Sequence, residues 1–269
     1  PIWVSYVTER IEGIGQPRVE VPPAGFMADK GPGDLMWEVI ETRMTPPVTG
    51  KIGQATLQLD RAYKAVATMT DRPVKLGSIS AQILALMLTD EHYKGDRLQM
   101  LMDLSASLNR EYHALADAGA PLVQIEEPAI HQVIADPNQK IKPDKWVEAF
   151  NIEVKGLRQK CEVWCHTCWG NPNMQRVMED TSYRASFELY LHQMRGDVWT
   201  IETKDRDFRD AVPESAHQRW ALRCMAAAAL CVGAWLYSHD AARNALVRWM
   251  MPWGDTDRYT FTRINPVPP

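Results

Sequence analysis

Leu122-Val123-Gln124-Ile125-Glu126-Glu127-Pro128 is the stretch on which the fold turns. Leu122 to Ile125 form a short apolar run, and Pro128 has no N–H with which to continue a central strand. The spacing therefore predicts a strand that ends at Glu126-Glu127, with two acids at its C-terminal tip. Upstream, residues 97–118 carry Leu98, Leu101, Met102, Leu108, Tyr112 and Leu115 on one broad helical face, while Asp103, Asn109 and Arg110 point elsewhere. Gly119 ends that helix. Downstream, residues 145–160 place Trp146, Val147, Phe150, Val154 and Leu157 with helical spacing, and they lead into Glu162-Val163-Trp164-Cys165-His166-Thr167-Cys168, a second strand. Asp197-Val198-Trp199-Thr200-Ile201-Glu202 is a third. Strands alternating with helices specify an α/β fold with a parallel sheet and right-handed crossovers, open or closed as a barrel.

Outside this segment the signals are simpler. Residues 16–47 hold Pro17, Pro22, Pro23, Pro32, Pro46 and Pro47 with several glycines, which predicts loop or edge structure around at most a short helix. Residues 58–69 have helical spacing through Leu59, Ala62, Tyr63 and Val66, and Arg72-Pro73-Val74-Lys75-Leu76 is a loop entering a strand. There is no internal repeat. A chain of 269 residues, 45% hydrophobic and 24% charged, can bury a substantial core. Its formal net charge of -4 gives no general electrostatic reason to bind nucleic acid or an anionic membrane. The longest apolar run, residues 225–236, is shorter than the roughly 20 residues that a membrane-crossing helix needs. Pro1-Ile2-Trp3-Val4-Ser5-Tyr6 has neither a basic n-region nor a signal cleavage site. Cysteines at 161, 165, 168, 224 and 231 are odd in number and clustered, which fits a reducing cytoplasm better than a disulfide framework. The expectation is a soluble cytoplasmic protein that acts on small molecules.

His166 and Cys168 are two residues apart on a predicted strand, so their side chains share a face and can share one metal ion. Imidazole nitrogen and thiolate sulfur suit Zn(II), to which an enzyme site adds a carboxylate or another thiolate while retaining an exchangeable position. Glu202, at the tip of the next predicted strand, is a sensible third ligand. From spacing alone, packed residues near a strand end are the commoner reading of His166 and Cys168. Glu126 and Glu127 can likewise cap a helix or meet an arginine, or form an acid-base site. Cys165 faces away from His166 and Cys168 by alternation, and Cys161 is too far upstream. Cys224 and Cys231, about two helical turns apart in an alanine-rich run, read as core.

Taken together, Asp71-Arg72-Pro73-Val74-Lys75, Gln124-Ile125-Glu126-Glu127-Pro128-Ala129, His166-Thr167-Cys168 and Asp197-Val198-Trp199-Thr200-Ile201-Glu202-Thr203 resemble, in the same order, the signatures of the C-terminal catalytic domain of cobalamin-independent methionine synthase. The similarity covers residues 3–210 and is most specific over 124–129 and 197–203. It implies one domain over residues 1–269, a TIM-type (β/α)8 barrel with part of it absent from this chain, and zinc at the C-terminal ends of the strands. His166, Cys168 and Glu202 match three of the family's zinc ligands. Glu126 falls where the family has an Asp that contacts the amino-acid substrate, and it reaches one methylene farther. Val4-Ser5-Tyr6-Val7 resembles the segment that supplies a substrate-binding Glu, and Ser5 stands in that place, which removes a partner for a homocysteine ammonium group. The family's fourth ligand comes from a later Asp-Cys-Gly segment. None follows Glu202 here, and the chain passes from Asp210 into a helical run over 217–236, so either the sequence skips a stretch or the site has changed.

The resemblance thus implies a zinc-dependent methyltransferase or alkyltransferase. Its acceptor would be homocysteine or another small thiol such as coenzyme M, as in the related epoxyalkane:coenzyme M transferases. Glu126 would bind the acceptor's polar end or assist proton transfer. The donor is left open among a folate, a corrinoid and an epoxide. Trp164, Trp169 and Trp199 serve either to stack on a flat donor or to pack. The alternative is a non-catalytic binding or structural relative with an incomplete metal centre. A third reading, hydrolysis by Glu126 and Glu127, is weaker because neighbours on a strand point to opposite faces. Trp249-Met250-Met251-Pro252-Trp253 either packs on the barrel or forms a subunit contact in a homo-oligomer.

Overall fold

The computed structural model describes residues 3–19, 30–38, 44–135, 139–168 and 183–201. The N-terminal part holds helix α1 (Trp3–Thr8), strand β1 (Arg18–Val19), the single helical turn α2 (Leu35–Glu38) and strands β2 (Met44–Thr45) and β3 (Pro47–Val48). Then follow α3 (Leu59–Ala67), β4 (Leu76–Ile79), α4 (Ala81–Met87), β5 (Thr89–Asp90), α5 (Arg97–Asp117) and β6 (Leu122–Glu126). The last group is α6 (Ala129–Ala135), α7 (Pro143–Glu153), β7 (Glu162–Thr167), α8 (Arg184–Glu188) and β8 (Val198–Ile201).

Local chemistry sets the helix ends. The Asp96 side chain accepts the N–H of Gln99 and starts α5, and Gly119, at φ +96°, follows its last turn in the left-handed region that glycine adopts without strain. Ser80 caps α4 by accepting from Ile83 N. Pro143 supplies a preset φ at the first position of α7. The helix expected over 145–160 stops at Glu153. Gly156 turns the chain at φ +83°, and a 3-10 turn over Leu157–Gln159 completes the stretch. Leu157 is fully buried after that break, so the apolar spacing continues although the helix does not.

β4, β6, β7 and β8 lie side by side in that order, all parallel. The register sets out two cross-strand rows: Gly77, Gln124, Trp164 and Val198 in one, and Ile79, Glu126, His166 and Thr200 in the next, one step nearer the C-terminal edge. Gly77 is required by the first row, because a Cβ there would overlap the carbonyl oxygen of Gln124. Val123, Ile125, Val163 and Cys165, on the alternate positions, are inaccessible to solvent. α5 packs on β6 and against α3, α4 and α7, and it buries Leu101, Leu104, Leu108, Tyr112 and Leu115 completely. Each such leucine contributes about 1.5–3 kcal/mol of hydrophobic stabilisation. The Phe150 and Trp199 rings extend the core, with centroids 6.1 Å apart.

The α/β class and the parallel strand order agree with the sequence reading. Among the described residues the main sheet has four strands and is not closed into a barrel. The segment over 16–47 holds an antiparallel β1–β2 pair and α2, while β3 pairs in parallel with β5. Helices α1, α4, α6 and α8 have no counterpart among the expected elements. Among the described residues no helix is long and apolar enough to cross a membrane. Glu202, Trp169, Cys224, Cys231, the helical run over 217–236 and the Trp249–Trp253 cluster lie outside the described residues.

Candidate active site

The second cross-strand row carries the site to the C-terminal edge of the sheet. Glu126 ends β6 and lies beside His166 on β7, with Glu126 Oε2 3.9 Å from His166 Nε2. On its other side His166 pairs with Thr200 of β8, and its Nδ1 is 3.1 Å from Thr200 Oγ1. Thr200 Oγ1 also reaches the carbonyl oxygen of Cys165 at 3.4 Å. One step back along β6, the side-chain amide of Gln124 donates to Glu126 Oε1. Cys168, half-buried, follows β7 directly.

A cavity of about 470 Å³ opens against this row. Its walls include Val7, Leu59, Leu76 and Ile79, and its polar lining includes Lys75, Gln124 and Glu126. Lys75 Nζ stands 5.4 Å from the centre of the Trp164 ring, a cation–π contact at the inner end of the same strands. Glu126 is therefore the group common to the cavity and the His166 neighbourhood. Ser5, expected at the substrate, lies in α1 and is not among the lining residues. Its neighbours Tyr6 and Val7 are, with Tyr6 Oη donating to Leu57 O at 2.6 Å.

The neighbouring acid has a different fate. Glu127 is fully buried, and its carboxylate accepts the N–H of Ile130 at 3.1 Å, capping α6. Glu126 and Glu127 thus have separate surroundings, as strand alternation predicts, and do not face one cavity as a hydrolytic pair. Cys165 is also fully buried. Burial first, then the negative charges of Glu127 and Glu126, push its thiol well above the ordinary range and hold it protonated and unreactive. None of Cys161, Cys165 and Cys168 is in a disulfide.

The donors suit zinc in kind. An imidazole nitrogen and a thiol lie two residues apart at a strand end, and the ring is oriented through its other nitrogen by Thr200, as a ligating histidine normally is. Among the described residues no three His, Cys, Asp or Glu side chains gather as a metal site, and Glu202 lies outside them. Sequence reasoning selected Glu126, His166 and Cys168. It gave no role to Gln124 or Thr200, although both stand two residues before a selected acid, the spacing that puts strand residues on one face.

Fold and site together define an α/β protein with polar and thiol side chains at the C-terminal edge of a parallel sheet, the edge where such folds place their chemistry. Residues 26–219 match the model of the cobalamin-independent synthase catalytic domain, and the chain belongs to that family. A methionine synthase of Sulfolobus acidocaldarius is 29% identical over 176 residues, covering 65% of this chain and 45% of the relative. One from Pyrococcus furiosus is 28% identical over 154 residues, covering 57% and 39%. The chain thus spans less than half the length of these curated relatives. The structure of a B12-independent methionine synthase from Shewanella sp. W3-18-1, in complex with selenomethionine, superposes with a TM-score of 0.56 at 19% identity, over 75% of this chain and 55% of that one. A vitamin-B12 independent methionine synthase from Listeria monocytogenes, itself described as putative, gives 0.50 at 15% identity, over 72% and 51%. These likenesses place the fold with the family.

Proposed function

We propose that this chain transfers a methyl or alkyl group to the sulfur of a small thiol in a zinc-dependent reaction. The sheet β4-β6-β7-β8 would be part of a TIM-type (β/α)8 barrel within a single domain. The observation that carries the reading is the setting of the His166 ring, with Nδ1 3.1 Å from Thr200 Oγ1 and Nε2 on the side of Glu126. Thr200 has one hydroxyl proton, and with Cys165 O accepting it at 3.4 Å, the hydroxyl oxygen accepts from His166 Nδ1–H. Nε2 is then the ring nitrogen left to face a metal. His166, Cys168 and Glu202 would hold the zinc. Zinc bound there supplies a lowered pKa for the acceptor thiol, which then reacts as the thiolate.

The chain's own groups do the rest. Glu126, on the cavity wall, binds the polar end of the acceptor, a cationic one where the acceptor is an amino acid, and Gln124 fixes the direction of its carboxylate. Val7, Leu59, Leu76 and Ile79 keep water from the transferring group. The selenomethionine in the Shewanella relative supports an amino-acid acceptor of the homocysteine kind. Ser5, carrying no charge and lying off the cavity, supports a weaker demand for an ammonium group, so coenzyme M stays within the proposal.

Zinc analysis of untagged protein, with His166→Ala and Cys168→Ser prepared identically, tests this. About one zinc per chain is expected, lost in both variants, together with alkylation, by the parent and not by the variants, of a thiol supplied with an electrophilic methyl or alkyl donor whose carbon–leaving-group bond breaks. A folded parent that holds no zinc after supply and dialysis would defeat the reading. The non-catalytic relative would then be the better account, a reading favoured by the lack of an Asp-Cys-Gly segment after Glu202 in this sequence.

A further inference from the structure

His166 and Cys168 flank Thr167, whose side chain takes the other face of the strand and is completely buried. There Thr167 Oγ1 lies 3.0 Å from Nδ1 of His131, a residue of α6 that is only 1% exposed. The same short connection touches β7 a second time, where Glu127 N donates to His166 O at 2.8 Å. The Glu127 carboxylate caps α6 at Ile130 N, so the helix that carries His131 is tied to the end of β6. β7 ends at Thr167, which leaves Cys168 beyond the ladder.

We propose that His131 is a positioning residue. Through the buried bond to Thr167 it sets the directions in which His166 and Cys168 leave the opposite face of the chain. Successive side chains on an extended backbone point to opposite faces, so rotation at Thr167 would swing both neighbours together. The bond pairs two buried polar groups, which favours the bonded rotamer of Thr167. The inference rests on His166 and Cys168 being metal donors, and it extends their support to a residue that touches neither the metal nor the substrate.

The test uses the whole chain with Co(II) as the probe. Affinity comes from chelator competition, geometry from the visible d–d band, and fold integrity from thermal unfolding of the metal-free protein. Thr167→Val keeps the shape and removes the hydroxyl, while Thr167→Ser keeps it. His131→Leu removes the ring nitrogen, and His131→Asn offers a polar atom near the Nδ1 position. Thr167→Val and His131→Leu are expected to weaken Co(II) by roughly 10–100-fold and to shift the band. Thr167→Ser and His131→Asn should restore both, and the double variant should be no worse than the poorer single one. Variants that melt earlier but bind Co(II) as the parent does would overturn the proposal and leave a merely structural bond. A parent that binds no Co(II) defeats the zinc reading itself. Amide exchange at residues 166–168 of the metal-free chain then decides the positioning: faster exchange in Thr167→Val than in Thr167→Ser supports it, and equal rates reject it.

Discussion

Glu126 and Glu127 are chemically identical neighbours with opposite surroundings, and that contrast governs what each can do. Glu127 spends its carboxylate on the N–H of Ile130 inside the protein, whereas Glu126 lines the cavity and faces His166. If Glu126 binds a cationic acceptor, Glu126→Gln keeps the shape and removes only the charge. A hydrogen bond to a charged group is worth about 1.5–3 kcal/mol. KM for an ammonium-bearing thiol should therefore rise roughly tenfold or more with kcat little changed, while a thiol without an ammonium group is unaffected. Equal effects on both thiols would show that the carboxylate does not read the ammonium. The faces of Glu126 and His166 were legible because strand alternation is a local rule. The partners of His166 and Thr167 were not: Thr200 and His131 lie 34 and 36 residues away along the chain, and only the register of β7 with β8 and the docking of α6 bring them in.

At the level of elements, α4 and α7 are joined by a buried carboxyl. Glu153, in the last turn of α7, is completely buried and accepts the N–H of Ala81 at 3.1 Å, in the first turn of α4. Burial raises its pKa well above the ordinary carboxylate range. The bond to Ala81 opposes that shift, and the charge of Glu127 adds to it. The sign follows directly. Above about pH 4.5 the unfolded chain gives up this proton while the folded chain keeps it. The stability associated with the neutral acid is present below that pH and is lost as pH rises through the folded value, at up to about 1.4 kcal/mol per pH unit. Urea unfolding at successive pH values should show this fall, and Glu153→Gln should flatten it. An unchanged slope in the variant would assign the pH dependence to other groups. The sequence pattern located α5 because its apolar face recurs over 21 residues. It missed α4, whose Ala81, Gln82, Leu84 and Ala85 are all buried, because its exposed position, Leu86, is apolar as well and leaves no polar face to mark the period.

Across the whole molecule, four signatures in the right order made the family legible, while closure of the sheet was not, because period and turn chemistry specify strands and not how many of them meet. The proposed metal donors, in contrast, all lie within this sequence. His166 and Cys168 belong to β7 and its end, and Glu202 follows β8 directly in sequence. Metal binding should therefore be a property of this chain alone, although it spans only 45% of its Sulfolobus acidocaldarius relative. A ligand that binds only the folded state stabilises it by about 2.7 kcal/mol at a free concentration near 100 times its Kd. For a chain of this size that corresponds to a rise in Tm of roughly 5–10 °C. Calorimetry with buffered zinc should show the rise in the parent and in Glu126→Gln, whose carboxylate lies outside the proposed ligand set, and should lose it in Cys168→Ser. A rise of the same size in Cys168→Ser would place the zinc elsewhere on the molecule. Loss of the rise in Glu126→Gln would instead draw Glu126 into the ligand set, with its 3.9 Å approach to His166 Nε2 as the starting geometry.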